Sequence, residues 1–197
     1  IKSDVNIGDD LYIPVSIDAF KKSDALKFKS VFKQKIKEAE KRVVYQAFQD
    51  KKGEIITGVV EKNEADYTLI NIGRTSVKLT NSRKIGDETF QLGQNVKVYL
   101  QEIASTTSGP QLIVTRADGG FLKRLFEEEI HEIYDGTVVI RDVARAAGER
   151  SKISVYSVNE NVDPIGSCIG PGGSKIQAVC QQIGKEKIDV VQYHEYP

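Results

Sequence analysis

From Phe28 onward, apolar residues recur at spacings of three and four, at Val31, Phe32, Ile36, Ala39, Val43, Ala47 and Phe48. That period is one stripe of a helix. Lys29, Lys33, Lys35, Lys37, Glu38, Glu40, Lys41 and Arg42 fill the positions between. The pattern predicts a long amphipathic helix that stops at Gly53, with a solvated charged face over a packed stripe. A coiled-coil or partner helix is the alternative use of the same stripe. Ahead of it, Ile1 to Val15 is polar and turn-rich around Gly8-Asp9-Asp10.

Beyond Gly53 the period falls to two. "GEIITGVV" (53–60), "DYTLINIG" (66–73), "TSVKL" (75–79), "NVKVYLQEI" (95–103) and "PQLIVT" (110–115) are short and rich in β-branched residues. Turn chemistry at Asn63-Glu64-Ala65 and Ser108-Gly109-Pro110 separates them. Five strands over 53–116 predict a small five-stranded barrel of the OB type.

The remainder, 117–197, reads as helix, strand, strand, helix, helix, strand. "FLKRLFEEEI" (121–130) is helical, while "GTVVIRDVAR" (136–145), "SKISVYSV" (151–158) and "KIDVVQY" (187–193) are strands. Asp163 offers an N-cap with Pro164 at the first helical position. A second helix follows the glycines and runs to about Ile183. Segregated helices and strands make this part α+β.

Charge changes the picture by region. The 197 residues carry 28 Lys+Arg and 28 Asp+Glu. Residues 1–52 hold 12 against 8, 53–116 hold 7 against 7, and 117–197 hold 9 against 13. No segment is a basic domain, so any nucleic acid must be held by local placement of charge and backbone. No apolar run approaches the roughly 18 residues of a membrane span, and Ile1-Lys2-Ser3-Asp4 opens no signal peptide. A cytoplasmic protein, monomeric and without membrane contact, is the expectation. Cys168 and Cys180 lie twelve apart and read as two buried thiols rather than a metal site or disulfide. The chain contains no Met, which leads us to expect a piece of something longer.

The stretch "GSCIGPGGSKIQ" (166–177) carries the most specific chemistry. A P-loop needs Gly-Lys-Ser/Thr after four intervening residues, and the spacing from Gly166 brings Pro171 instead. A dinucleotide fingerprint would need glycine where Lys175 stands. What fits is Ile169, Gly170, Pro171, Gly172, Gly173 between two helices, an I-G-x-x-G loop. A bare glycine turn is the plainer reading of GxxG alone; the full element order selects a KH domain, which clamps about four nucleotides of single-stranded nucleic acid. The unpaired amides of the following helix, at Ser174 and beyond, favour phosphate. Lys175 is placed to meet a phosphate, with Arg141, Arg145, Arg150 and Lys152 as further candidates. The apolar floor is expected from Ile165, Ile169, Ile176, Ile153 and Val155. In the barrel, Arg74, Lys78, Arg83 and Lys84 cluster near the third strand, and Tyr67, Phe90 and Tyr99 are its aromatics.

No catalytic triad, metal cluster or paired-carboxylate motif is present. "HEIYD" (131–135) departs from a zinc-protease helix at Asp135, and "FEEEI" (126–130) is a solvated helix face. We expect no enzyme, no cofactor and no metal.

"KKGEIITGVV", "INIGRTSVKL", "GPQLIVTRA", "FLKRLFEEEIHEIYDGTVVIRDVARAAGERSKISVYS", "NVDPIGSCIGPGGSKIQAV" and "GKEKIDVV" closely resemble the NusA family of bacterial transcription factors. The resemblance covers nearly the whole chain and is strongest over 121–191. It implies that 1–52 are the end of an N-terminal domain with its connecting helix, 53–116 an S1 domain of OB fold, and 117–197 a first KH domain of type II. A second KH domain would follow Pro197. It further implies binding of single-stranded nascent RNA, RNA polymerase and other antitermination factors, and control of pausing, termination and antitermination. The family's loop usually reads Gly-Pro-Arg-Gly, and here Gly172 takes the arginine's place. "KLTNSRKIGDE" (78–88) stands where the family commonly has a proline-containing loop. A protein-interaction module is the other function class compatible with the −4 balance of 117–197. A nuclease tail fits poorly, because there KH precedes S1.

Overall fold

The computed structural model describes residues 22–106 and 109–195. The turn-rich opening around Gly8-Asp9-Asp10 and the bend at Ser108 lie outside them. The first helix, α1, is Lys22–Phe48, and the chain divides into two compact units inside it, at Lys41 and Arg42.

In the first unit the helix shows the predicted period, with Phe28 and Phe32 stacked 5.9 Å apart and Glu38 accepting from Gln34 and Lys35 on the charged side. The packed stripe is not found there. Val31, Phe32 and Ile36 are 53, 55 and 43% exposed. Periodicity reports that a face is apolar; burial requires a second surface, and no described residue supplies one over this length.

The second unit begins with the end of α1, where Val44, Ala47 and Phe48 seat on the barrel core. A 3-10 turn, Gln49–Lys51, and left-handed Gly53 (φ 82°) close the helix. The strands follow as β1 (Ile55–Asn63), β2 (Tyr67–Asn71), β3 (Ser76–Thr80), β4 (Asn95–Thr106) and β5 (Gly109–Thr115). They form one antiparallel sheet in the order β3-β2-β1-β4-β5. Register shifts at Val60/Lys62 and Leu100/Glu102 bend the long strands, and the edges β3 and β5 approach each other. The result is a nearly closed OB-type barrel. In β3, Val77 and Leu79 are buried between exposed Ser76 and Lys78, the alternation of a strand with one face on the core.

The same unit continues through α2 (Gly119–Glu129), α3 (His131–Tyr134), β6 (Val138–Ala146), β7 (Arg150–Ser157), α4 (Pro164–Ile169), α5 (Ser174–Ile183) and β8 (Lys187–Gln192). Its sheet runs β6-β7-β8, with β6 antiparallel and β8 parallel to β7. Phe121, Leu122, Leu125 and Phe126 put one face of α2 into the core, with Ile140, Ile153, Val155, Val179 and Ile183 opposite. This is the α-β-β-α-α-β order of a type II KH domain.

Barrel and KH fold are joined by buried polar contacts. Arg116, 6% exposed, donates to the Glu88 carboxylate at 2.9 and 3.0 Å, to the Lys97 carbonyl at 2.6 Å and to the Gln182 carbonyl at 2.9 Å. Tyr99 packs against the KH core rather than facing outward, and burial pushes its hydroxyl pKa up. Backbones meet where the α-carbon of Gly86 lies 3.1 Å from the point a Cβ on Gly148 would occupy.

Candidate nucleic-acid interface

The loop between α4 and α5 is built by local rules. The Asp163 side chain accepts from the Ile165 amide at 3.0 Å and Pro164 fixes the first helical φ, so α4 starts where the sequence says. Three glycines then turn the chain with positive φ: Gly170 at 73°, Gly172 at 58° and Gly173 at 79°. Side-chain-bearing residues resist that conformation. The Gly170 amide donates to the Gly166 carbonyl, the Gly173 amide to the Gly170 carbonyl and the Ser174 amide to the Pro171 carbonyl. These bonds commit three amides to holding the bend, so fewer remain for a ligand than a bare loop suggests.

The bend itself is not packed under other elements. Pro171, Gly172 and Ser174 are exposed, and Gly170 and Gly173 are half-buried. Nothing lies within 4 Å of the place a Cβ on Gly172 would take. An arginine there has room, at about 1 kcal/mol for the left-handed backbone. Beside the loop, Ile169 is 37% exposed, and Ile165 and Ile176 are half-buried against the core. These three form an apolar margin. Ile153 and Val155 do not join it. Both are fully buried beneath the helices, because the inward positions of β7 meet the helix layer.

Lys175 is beside the loop but engaged. Its ammonium donates to both Glu132 oxygens, at 2.8 and 2.7 Å, and the hydrogen bond from Lys175 is the main reason the Glu132 pKa is lowered. The lysine stem lies across Gly170, where a Cβ would come 2.7 Å from Lys175 Cγ. Arg145 is a correction. Its side chain is 2% exposed, bound to both Glu186 oxygens at 2.8 Å and to the carbonyls of Arg116 and Asp118. It holds the fold together and presents nothing to a ligand. Glu186 also accepts from the Gly148 amide and the Ser151 hydroxyl.

Arg150 and Lys152 alternate with buried Ser151 and Ile153, so they project from the sheet face away from the helices. Arg150 pairs there with Asp189 at 2.6 Å. The structure does not bring these two to the loop. Arg141 lies on that outer face too, 5.7 Å from the Tyr193 ring centroid. In the barrel, Arg74 and Lys78 are exposed at the β2–β3 hairpin, with the Lys78 ammonium 4.7 Å from the Tyr67 ring centroid. Phe90 sits beneath Lys84 and Arg116.

Burial pushes the Cys168 thiol up to about 12, which keeps it unreactive. The glutamates of "FEEEI" are partnered rather than merely solvated: Glu127 by Arg124, Glu128 by Lys97 and Glu129 by Gln182. No described helix is long and apolar enough to cross a membrane.

Residues 116–193 match the NusA-like first KH domain family, the span that begins at the Arg116 seam and ends just past β8. Over that stretch the chain is similar to the first KH domain of NusA-like proteins. Proteins called transcription termination/antitermination protein NusA align along its length: that of Halalkalibacterium halodurans is 38% identical over 197 residues, covering all of this chain and 52% of the relative. That of Bacillus subtilis is 40% identical over 191 residues, 97% of this chain and 52% of the relative, and that of Thermus thermophilus 36% over 195, 98% and 50%. The chain thus spans about half the length of the curated relatives it matches.

Sequence reasoning missed Glu132, Glu88 and Glu186. Glu132 is in "HEIYD", a motif weighed only for zinc. A lone acidic residue carries no sign of its partner until the fold places it.

Proposed function

We propose that this chain is a non-catalytic, RNA-binding part of a transcription elongation factor, acting in termination and antitermination, the processes in its relatives' names, and in pausing. Its division would be 1–52 as connecting helix and end of an N-terminal domain, 53–116 as S1 and 117–197 as first KH domain. Single-stranded nascent RNA is its ligand in the cytoplasm, held at Ile169, Gly170, Pro171, Gly172, Gly173 and Ser174, with Ile165 beside the bases. Lys78 and Arg74 of the barrel give a second, separate contact. RNA polymerase and other antitermination factors are its protein partners. The observation that carries this reading is the exposed three-glycine bend between two helices on a three-stranded sheet.

The sparse free charge near the loop sets the expected behaviour. With Arg145 buried, Arg150 and Lys152 facing away and Lys175 paired, the cations left in the proposed contacts are Arg74 and Lys78 of the barrel, enough to neutralise about two phosphates. A plot of log K against log salt for a single-stranded RNA should therefore have a slope of only about −1 to −2. A slope of −5 or steeper would mean a broad electrostatic surface and would contradict the loop as the principal site.

A second reading has its own support. The pairing of Lys175 with Glu132 and the acidic balance of 117–197 favour a module that contacts polymerase or antitermination factors with little RNA affinity. Retention of the chain by immobilised polymerase, together with no RNA shift at low salt, would select it.

A further inference from the structure

Glu132 stands on α3, a single helical turn. Buried Ile130 and Ile133, 0 and 7% exposed, anchor the backbone on either side of it. That anchoring aims the Glu132 carboxylate at the first turn of α5. Lys175, the cation nearest the glycine bend in sequence, meets it with two hydrogen bonds of 2.7 and 2.8 Å. Both side chains remain reachable, 28% exposed for Lys175 and 33% for Glu132. Gly170 provides the track along which the lysine stem runs. A larger residue there would displace the stem, so the bareness of Gly170 serves the ion pair as well as the bend.

Resting on the RNA-binding reading above, we infer that Glu132 is an internal competitor of the RNA backbone: its carboxylate occupies Lys175 in the free protein and must be displaced by a phosphate before the lysine contributes. A carboxylate and a phosphate are rival acceptors for the same ammonium. The pair is partly solvated, so it is of the strength that a phosphate can replace. Glu132 acts through Lys175 and sets how much of the loop's affinity is realised. It is a positioning residue and touches no RNA itself.

The test uses the whole chain and a fluorescently labelled pool of random single-stranded RNA of about ten nucleotides, titrated at several salt concentrations. Glu132→Gln keeps shape and removes the charge. It is expected to tighten binding about 3- to 10-fold at low salt and to steepen the salt slope by about 0.7, one more phosphate neutralised. Lys175→Ala alone should change affinity less than about 2-fold, and Lys175→Ala added to Glu132→Gln should erase the gain. The thermal midpoint of each variant is measured alongside, and Glu132→Ala provides a second substitution if the amide perturbs α3. Unchanged or weaker binding in folded Glu132→Gln and Glu132→Ala, while wild type binds, would overturn the competition and leave the RNA reading standing. No binding by wild type or any variant would instead remove the RNA reading, and the competition with it.

Discussion

Replacing both Gly170 and Gly173 with Asp is expected to lower affinity for single-stranded RNA about 10- to 100-fold. Two effects act together. Each glycine holds a positive φ, 73° and 79°, and an aspartate in that region costs about 1–2 kcal/mol. At Gly170 the added Cβ also meets Lys175 Cγ at 2.7 Å, which moves the lysine off its track. The second effect is charge: a carboxylate about 4–6 Å from a bound phosphate repels it by about 1 kcal/mol or more at the surface dielectric. Fluorescence anisotropy against wild type reads the loss, and a thermal melt confirms that the variant is folded. The barrel, far along the chain, serves as internal control. If affinity is unaltered in the folded double variant, RNA is being held elsewhere, with the Lys78–Tyr67 hairpin the first place to look.

Glu186→Ala is expected to destabilise the chain by about 3–5 kcal/mol, the cost of stranding a buried charge. Arg145 would keep only the carbonyls of Arg116 and Asp118, and the Gly148 amide and Ser151 hydroxyl would lose their acceptor. Asp189→Ala, which breaks the exposed pair with Arg150, should barely move the midpoint of the same urea titration. The contrast is the check: equal losses would mean that the buried pair is not what holds the KH fold at that end. Burial by itself raises the Glu186 carboxyl, but Arg145, the Gly148 amide and Ser151 hold it below its ordinary value of 4.5. A carboxyl lowered by folding contributes stability that is fully present above its unfolded value and lost as pH falls through the folded one. Wild type should therefore lose stability as pH drops below about 4.5, and Glu186→Ala should lose less over that window.

What the sequence made legible was whatever local rules decide. The short β-branched run "TSVKL" placed β3, the Asp163-Pro164 cap placed α4, and three glycines within four positions marked the bend. Element order then led to the KH fold. Local rules were silent on which cation ends up beside which acid. Arg145 and Arg150 look alike in "RDVARAAGERSK", yet strand alternation and the return of β8 bury the first against Glu186 and leave the second on the outer face with Asp189. Ile153 and Val155 have the apolar character of a groove floor; their register against β6 and β8 puts them wholly inside. The stripe on α1 failed in the opposite sense, since its period is right but the surface that would cover it is not among the described residues.

The most direct measurement of the central claim is photo-crosslinking of the chain to 4-thiouridine-labelled single-stranded RNA, with the crosslinked peptides mapped by mass spectrometry. The loop account predicts the strongest crosslinks within 164–177, around Ile165, Ile169 and Ile176, with a weaker set near Tyr67 and Lys78. Crosslinks confined to the outer sheet face, at Tyr156 and Tyr193 beside Arg141, with none between Pro164 and Gln177, would contradict it.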